Sequence, residues 1–242
     1  MIVANNGGII DHMVGAGKTY LIIAAALKMR QLGVANKPMI VGLKSTIQDL
    51  ASDAKKLFPM AKVLSPSEAD FSKENRKKLL STIQNNDWDL IIISHEQFGA
   101  IPQDKEFHKG IIEKEIEEIE AALLALEAES GEAASRKLIQ GLTKRKENLR
   151  AKLDELADFK KDDELLSFKD IGIDHLFVDE SQYFKNLAYT TRINRVSGLG
   201  NPLGSKRSYN MLVAARTLQA FHGGDKGVTF VSGTPISNSL VE

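Results

Sequence analysis

The chain lacks cysteine, an excess of charge of one sign and any long apolar run, and each absence excludes a class of protein. None of its 242 residues is cysteine, which excludes disulfides, thiolate catalysis and cysteine-ligated zinc, and predicts a cytoplasmic protein. Basic and acidic residues number 32 each, so a globally basic nucleic-acid-binding protein is excluded, but a local basic groove is not. The apolar runs at 21–27 and 90–93 are far shorter than the roughly 18–20 residues that cross a bilayer, and no secretory signal pattern begins the chain. No membrane partner is expected.

Proline is absent between Pro102 and Pro202, and the composition changes within that stretch. Aliphatic residues there follow heptad spacing in two series, which predict two amphipathic helices. The first series is Ile112, Ile116, Ile119, Leu123 and Leu126, and the second is Leu138, Leu142, Leu149, Leu153 and Leu156. Arg145 interrupts the second series, and Gly141 weakens that helix by roughly 1 kcal/mol relative to alanine. Gly131 lies in the natural turn between the two helices, at residues 130–135.

Charge favours pairing of these two helices. Residues 111–135 hold eight glutamates and one lysine, whereas residues 136–161 hold nine basic and four acidic residues. We therefore predict an antiparallel coiled-coil hairpin at 107–159, inserted into a body formed by residues 1–106 and 160–242. A solvated, self-paired coiled coil is favoured over an arm that binds DNA or a partner.

The two flanking regions alternate short aliphatic runs with helix-period segments. This alternation predicts an α/β fold with a parallel sheet covered by helices on both faces. The predicted strands are 8–11, 38–43, 61–64, 89–94, 175–179 and 228–231, and the predicted helices outside the hairpin are 18–32, 46–58, 73–86 and 205–221.

A glycine-rich turn joins the first predicted strand to the first predicted helix. It comprises Gly15, Ala16, Gly17, Lys18, Thr19 and Tyr20. Glycines let backbone N–H groups turn toward phosphate oxygens, and the helix N-terminus adds partial positive charge. In a P-loop, the lysine reaches the terminal phosphates and the hydroxyl residue binds Mg²⁺, which assigns these roles to Lys18 and Thr19. His12 stands where the pattern has its first glycine. A glycine turn with an incidental lysine is the disfavoured alternative.

Two further strand ends carry polar residues. Asp179 and Glu180 follow an apolar strand, so Asp179 is a candidate Mg²⁺ ligand and Glu180 a candidate base for an attacking water. Asp179 capping the following helix is the alternative. The last predicted strand is followed by Ser232, Gly233 and Thr234. Two interpretations are open: these residues form hydrogen bonds toward residues 179–182, or they form an ordinary turn before a helix that begins at Pro235.

In this order, the motifs resemble the first RecA-like domain of helicase superfamily two. Residues 8–19 resemble motif I, residues 179–182 a motif II of the DEAH or DExQ type, and residues 232–235 motif III. The strings at 12–19, 178–186 and 233–239 are similar to the Swi/Snf-like segment of large bacterial and phage proteins that also carry an adenine-specific DNA methylase. Met13 and Ser181 depart from that group, which usually has an acidic residue and an alanine at these positions.

The resemblance implies ATP and Mg²⁺ as ligands, with Gln182 joining Lys18, Asp179 and Glu180 in catalysis. It also implies a second RecA-like domain as partner, so we expect this chain to be the ATP-binding half of a DNA-dependent ATPase, helicase or translocase. DNA, expected as a duplex held through its backbone, is the second implied partner, and an attached methylase domain the third. The candidate DNA contacts are Lys44, Ser45, Thr46, Ser94, His95, Arg192, Arg195, Lys206 and Arg207.

Two other functions compete with this interpretation. A nucleotide-binding scaffold would use the same site for regulation and the hairpin to recruit a partner. A P-loop kinase is disfavoured, because an acid pair and a hydroxyl-rich turn fit hydrolysis and domain coupling better than transfer to a small molecule. Solvated surface charges or helix caps remain the alternative for each DNA contact.

Overall fold

Six short runs rich in valine, isoleucine and leucine form the strands of one sheet. A computed structural model describes residues 2–128, 133–158, 165–187 and 204–234. The strands are β1 (Gly7–Asp11), β2 (Pro38–Gly42), β3 (Val63–Leu64), β4 (Leu90–Ser94), β5 (His175–Val178) and β6 (Val228–Ser232). They lie in the order β1-β6-β5-β2-β4-β3, and every pairing within the described ranges is parallel. The predicted α/β class with a parallel sheet is confirmed, and it is consistent with a RecA-like fold.

Helices cover both faces of this sheet. They are α1 (Ile2–Asn5), α2 (Lys18–Gln31), α3 (Ile47–Leu57), α4 (Arg76–Asn85), α5 (His95–Gly99), α6 (Lys105–Ala128), α7 (Ala133–Asp158) and α8 (Lys206–His222), with 3₁₀ turns at Ala69–Phe71 and Ser181–Phe184. Successive strand residues point to opposite faces. Met39 and Val41 therefore join one core with α4 and α8, whereas Ile40 joins another with α2 and α3. None of the helices in the described ranges is long and apolar enough to span a bilayer.

The third strand is shorter than predicted. Sequence patterning predicts it at 61–64, but the strand contains only Val63 and Leu64. The N–H groups of the preceding two residues make hydrogen bonds outside the strand ladder. Ala61 donates to the Phe58 carbonyl (3.0 Å) and Lys62 to the Asp89 carboxylate (2.8 Å). The first closes a turn, and the second ties that turn to the start of β4. The ladder therefore begins only at Val63.

A third apolar cluster lies between α6 and α7. Ile112, Ile116, Ile119, Leu142 and Leu149 are buried there. Leu123, Leu126, Leu138, Leu153 and Tyr209 of α8 pack against them. Ion pairs flank the cluster, with Arg145 bound to Glu115, and Glu120 to both Lys146 (2.8 Å) and Arg150 (3.1 Å). The expected turn at 130–135 lies largely outside the described residues.

The parallel strands bring their carboxyl ends to one edge of the sheet. Register places Asp11 beside Ser232 and Gly42 beside Ser94, and pairs Val41 with Val178, the residue before Asp179. This edge is the usual location of ligand sites in parallel α/β sheets.

Candidate functional site

The turn between β1 and α2 has the backbone that a phosphate-binding loop requires. Gly15 and Gly17 adopt left-handed conformations, with φ of 85° and 77°, that strongly favour glycine. The turn is closed by the Ala16 N–H, which donates to the Met13 carbonyl at 3.2 Å. Gly17 occupies the N-cap of α2 and offers no side chain to its first N–H groups. Those N–H groups, starting at Lys18 and Thr19, are therefore available to an anion.

The Lys18 ammonium lies across the mouth of this turn. It donates to the carbonyl oxygens of His12 (3.1 Å) and Met13 (3.2 Å). It also lies against Gly233 after β6, where a Cβ atom would come within 2.7 Å of the Lys18 nitrogen. The lysine thus links the turn after β1 to the turn after β6. Thr19 is half-buried beside it, whereas Tyr20 is 52% exposed.

Asp179 continues β5 into the same edge of the sheet. Its N–H donates to the Val41 carbonyl at 2.8 Å, which extends the ladder by one residue, and the residue is buried. Burial raises the pKa of the Asp179 carboxyl, as does the charge of Glu180, while the nearby Lys18 ammonium opposes the rise. Asp179 does not cap the element that follows it, because the residue at the N-cap of the 3₁₀ turn is Glu180.

A line of hydrogen bonds connects the strand ends of β5 and β6. The Gln182 side-chain amide donates to a Glu180 carboxylate oxygen (2.5 Å) and accepts from the Ser232 hydroxyl (2.8 Å). The Ser232 oxygen in turn accepts from the Thr234 N–H (3.0 Å). Sequence reasoning expected Ser232 and Thr234 to bond toward residues 179–182. The Ser232 hydroxyl makes such a bond, to Gln182, whereas the Thr234 N–H bonds to Ser232.

The donors at this edge fit a magnesium ion bridged to phosphates. Within the described ranges, no three histidine or acidic side chains cluster as a protein-only metal site would require. Mg²⁺ is commonly held by one or two protein oxygens together with substrate phosphates and water. The Thr19 hydroxyl at the start of α2 and the Asp179 carboxylate after β5 are the candidates for such a pair.

Two candidate DNA contacts are buried. Ser94 is 4% exposed and forms a capping box with Gln97 at the start of α5. His95 is 3% exposed, and its Nε2 bonds to the Asp179 carbonyl oxygen at 2.9 Å. Burial lowers the pKa of the His95 ring, which the bond to Asp179 partly offsets. These placements argue against the prediction that Ser94 and His95 contact DNA, because neither presents its polar atoms at the surface. Sequence reasoning named His95 but missed its contact with Asp179, which no spacing pattern signals.

The remaining candidate contacts divide by position. Lys44 and Ser45 are exposed after β2, where Lys44 pairs with Glu68. Thr46 is half-buried, and its hydroxyl donates to the Leu43 carbonyl at 3.0 Å. Lys206 and Arg207 are exposed at the start of α8, and the Arg207 guanidinium lies 6.0 Å from the centre of the Tyr183 ring. Arg192 and Arg195 lie outside the described residues.

Comparison with known protein families identifies the family of the chain. None of the curated proteins compared matches the chain. A family model described as a probable helicase domain matches residues 1–242, which is the full length. The glycine turn, the buried acid and the hydroxyl-rich turn all lie within the matched range at one edge of a parallel sheet. The chain therefore belongs to the probable helicase domain family.

Proposed function

We propose that the chain is the ATP-binding RecA-like half of a DNA-dependent ATPase of helicase superfamily two, acting as a helicase or translocase. One observation carries this proposal: the Lys18 ammonium lies against Gly233, which follows β6, and β6 pairs with β5, the strand that leads into Asp179. A cation after β1 and an acid after β5 thus meet at one edge, although 161 positions separate them. Family membership supports a helicase-type nucleotide site.

Each side chain at this edge has a chemical task in the proposed reaction. The N–H groups of residues 15–19 surround the phosphates, with Tyr20 next to them on α2, and the Lys18 ammonium leaves the loop carbonyls for the terminal phosphates. Thr19 and Asp179 would hold Mg²⁺, which would neutralise charge on the phosphates. Glu180 accepts a proton from the attacking water and Gln182 orients it.

The bond between Gln182 and Ser232 supports a coupling role for the turn after β6. Loss of the terminal phosphate changes the charge near Glu180, and Gln182 connects that carboxylate to Ser232 and onward to Thr234. We assign Ser232, Gly233 and Thr234 to transmitting this change toward a second RecA-like domain of the parent chain. The Swi/Snf type and an attached adenine-specific DNA methylase remain parts of this proposal.

DNA is the proposed polymer, held as a duplex through its phosphates. The exposed pair Lys206 and Arg207 begins α8, directly before the buried Ser208, and Lys44 and Ser45 follow β2 at the carboxyl edge. Translocation needs backbone contacts rather than base readout. Thr46, Arg192 and Arg195 complete the proposed set.

The α6–α7 pair is proposed as an inserted antiparallel coiled-coil hairpin at residues 107–159, between body segments 1–106 and 160–242. The apolar cluster between the helices supports their pairing, and so do the ion pairs that join Glu115 and Glu120 of α6 to the basic residues Arg145, Lys146 and Arg150 of α7. Replacing 107–159 by a short loop is expected to leave a body that melts cooperatively. Loss of cooperative melting would contradict an autonomous insertion.

Binding of a fluorescent ATP analogue to the 242-residue chain tests the nucleotide site. We expect weak Mg²⁺-dependent binding that Lys18→Ala reduces at least ~10-fold, because one charge-assisted phosphate contact contributes ~1.5–3 kcal/mol. Lys28→Ala is the matched control, since Lys28 is exposed near the far end of the same helix. Equal binding by Lys18→Ala and wild type would contradict the proposal, as would rapid steady-state hydrolysis unaffected by Lys18→Ala.

ATPase assays of the longer parent protein distinguish the translocase from a nucleotide-binding scaffold. Hydrolysis stimulated by duplex DNA, weakened by salt and by the double variant Lys206→Ala/Arg207→Ala, is the expected result. ATP binding without DNA stimulation would favour a scaffold that recruits a partner through the hairpin.

A further inference from the structure

A buried histidine supports the acid pair from behind. His95, the first residue of α5, is 3% exposed and lies against the 3₁₀ turn after β5. Its ring centre is 4.9 Å from that of Phe184 and 5.5 Å from that of Tyr183. The Ser94–Gln97 capping box fixes the start of α5, and the Gln97 amide also donates to the Pro66 carbonyl at 3.1 Å. The ring is thus held from its own helix and from the turn.

The contact with Asp179 determines which ring nitrogen carries a hydrogen. The Asp179 carbonyl oxygen is only an acceptor, so the His95 Nε2 must donate the 2.9 Å bond. The Nδ1 atom is buried and has no hydrogen-bond partner among the described residues. A buried polar atom without a partner costs roughly 1–3 kcal/mol. Packing alone is therefore served better by a phenyl ring than by this imidazole.

The bond fixes the peptide that carries both acids. Asp179 is held at its N–H by the Val41 carbonyl and at its own carbonyl by His95. Glu180, on the other side of the same peptide, has φ of 51°, a left-handed conformation that is unfavourable for glutamate. Once the orientation of this peptide is fixed, the directions in which the two carboxylates leave the backbone are fixed as well.

We infer that His95 is a positioning residue, whose Nε2–H bond to the Asp179 carbonyl holds the 179–180 peptide in the orientation that directs the acid pair at a magnesium-bound nucleotide. This inference rests on the proposed function. It assigns His95 no contact with the nucleotide itself. Its effect must therefore fall on the magnesium-dependent part of binding, because the loop around Lys18 contacts the phosphates without it.

The test compares His95→Phe, which keeps an aromatic ring but removes the donor, with His95→Gln, which keeps a side-chain N–H. Affinity of the 242-residue chain for a fluorescent ATP analogue is measured with Mg²⁺ and with EDTA. We expect His95→Phe to weaken binding ~10-fold in Mg²⁺ and less than ~2-fold in EDTA, as removal of an outer-shell support typically costs ~10–100-fold in metal affinity. His95→Gln is expected to recover most of that loss.

The matched control is His108→Phe. His108 lies on α6, away from the sheet edge, and is half-buried. Its Nε2 is buried with no partner among the residues that the structure describes, and its ring centre is 5.1 Å from that of Tyr209. This variant should change neither affinity. If His95→Phe does not fold, His95→Asn, whose amide is too short to reach Asp179, takes its place against His95→Gln.

Two outcomes would overturn the inference: weakening of binding by the same factor in Mg²⁺ and in EDTA, which indicates a structural role only, or no weakening of binding in Mg²⁺. Failure of His95→Gln to recover binding would also count against it. Lys18→Ala separates this result from the proposed function, because it must weaken binding under both conditions. If Lys18→Ala has no effect, the nucleotide site itself is wrong, whatever the His95 variants do.

Discussion

The polar side chains at the amino edge of the parallel sheet are hydrogen-bonded to one another, whereas several of those at its carboxyl edge are not. At the amino ends of β1, β5 and β6, polar side chains form one continuous chain of hydrogen bonds. It runs from Thr229 Oγ1 to His175 Nε2 (2.9 Å), from His175 Nδ1 to Asn6 Oδ1 (2.9 Å), from Asn6 Nδ2 to His222 Nδ1 (3.4 Å), and from His222 Nε2 to the Asp174 carbonyl (2.7 Å). At the carboxyl ends lie a buried acid and a lysine held only by loop carbonyls.

The amino-end chain has a single consistent direction. The Asp174 carbonyl can only accept, so His222 donates from Nε2 and accepts at Nδ1 from the Asn6 amide. The Asn6 carbonyl oxygen then accepts from His175 Nδ1–H, which leaves Nε2 to accept from the Thr229 hydroxyl. In this arrangement each ring donates from one nitrogen and accepts at the other, and every named atom has a partner.

The carboxyl edge contains polar groups in energetically unfavourable surroundings. The pKa of Asp179 is raised by burial and by Glu180, and the Nδ1 of His95 has no partner in the described part of the chain. Such groups destabilise the folded chain but suit the binding of a cation and phosphates. Hydrogen-bonded polar groups that stabilise the fold are therefore concentrated at the amino ends of the strands, and groups suited to chemistry at their carboxyl ends.

The largest expected effect breaks the amino-end chain. His175→Ala should lower the free energy of unfolding by about 3 kcal/mol, because it removes a fully buried ring and the hydrogen bonds that this ring makes to the Asn6 side-chain oxygen and the Thr229 hydroxyl. Thr229→Val, which removes only the hydroxyl donor, should lower it by about 1–2 kcal/mol. Urea denaturation measures both changes, and the affinity for a nucleotide analogue should be unchanged. A nucleotide defect equal to that of Lys18→Ala would contradict the division between the ends.

The next effect is a dependence of stability on pH. Burial lowers the pKa of His175 to about 3, against 6.5 in the unfolded chain. Above pH 6.5 the ring is neutral in both states and its stabilisation is complete. Between pH 6.5 and about 3 only the unfolded chain takes the proton, so the free energy of unfolding falls by about 1.4 kcal/mol per unit.

Comparison with His175→Gln isolates this residue. From pH 7 to 5, wild type should lose about 2 kcal/mol more than the variant, which cannot titrate at that position. Shifts at His95 and Asp179 are present in both proteins and cancel in the difference. Parallel stability curves for wild type and variant would contradict a buried neutral ring at His175.

Sequence patterning predicts the elements better than the contacts between them. Aliphatic runs locate five strands to within one residue at either end, because a strand buried on both faces must be apolar throughout. Sequence patterning predicts β3 two residues too long, since nothing in the sequence reveals that the Lys62 N–H donates to the Asp89 carboxylate. Local composition reports burial, whereas a long-range hydrogen bond that ends a strand is a property of the folded chain.

The same limit applies to the candidate site. Lys18 and Asp179 follow from motif spacing, because a turn after a strand at the carboxyl edge must face the other strand ends. The contact between His95 and Asp179 and the amino-end chain through Asn6 have no spacing signal, since their members lie 84 and 169 residues apart. Such side chains are brought together only by the strand order.

A third and smaller change in the free energy of unfolding is expected at the carboxyl edge of the sheet. Asp179→Asn should raise the free energy of unfolding by about 1 kcal/mol at neutral pH, because a carboxyl with a raised pKa destabilises the folded chain whenever it is ionised. The amide has nearly the same shape but cannot serve as an anionic metal ligand. Magnesium-dependent nucleotide binding should therefore be lost as stability rises. A destabilised variant would indicate that Asp179 has a structural role.

The smallest effect concerns the two residues other than glycine that are left-handed within the described ranges, Asn6 and Glu180, each with φ of 51°. Asparagine tolerates this conformation better than glutamate, and Asn6 also bonds to two histidines. Glu180→Gly should therefore raise the free energy of unfolding, by at most about 1 kcal/mol. Relief of the backbone strain stabilises the folded chain, and the greater entropy of glycine in the unfolded chain offsets part of that gain. Asn6→Gly should instead destabilise the chain, because the strain relieved is small and two side-chain bonds are lost. Thermal melts of the two variants measure the contrast, and a loss of stability at Glu180 equal to that at Asn6 would mean that the carboxyl end is as tightly built as the amino end.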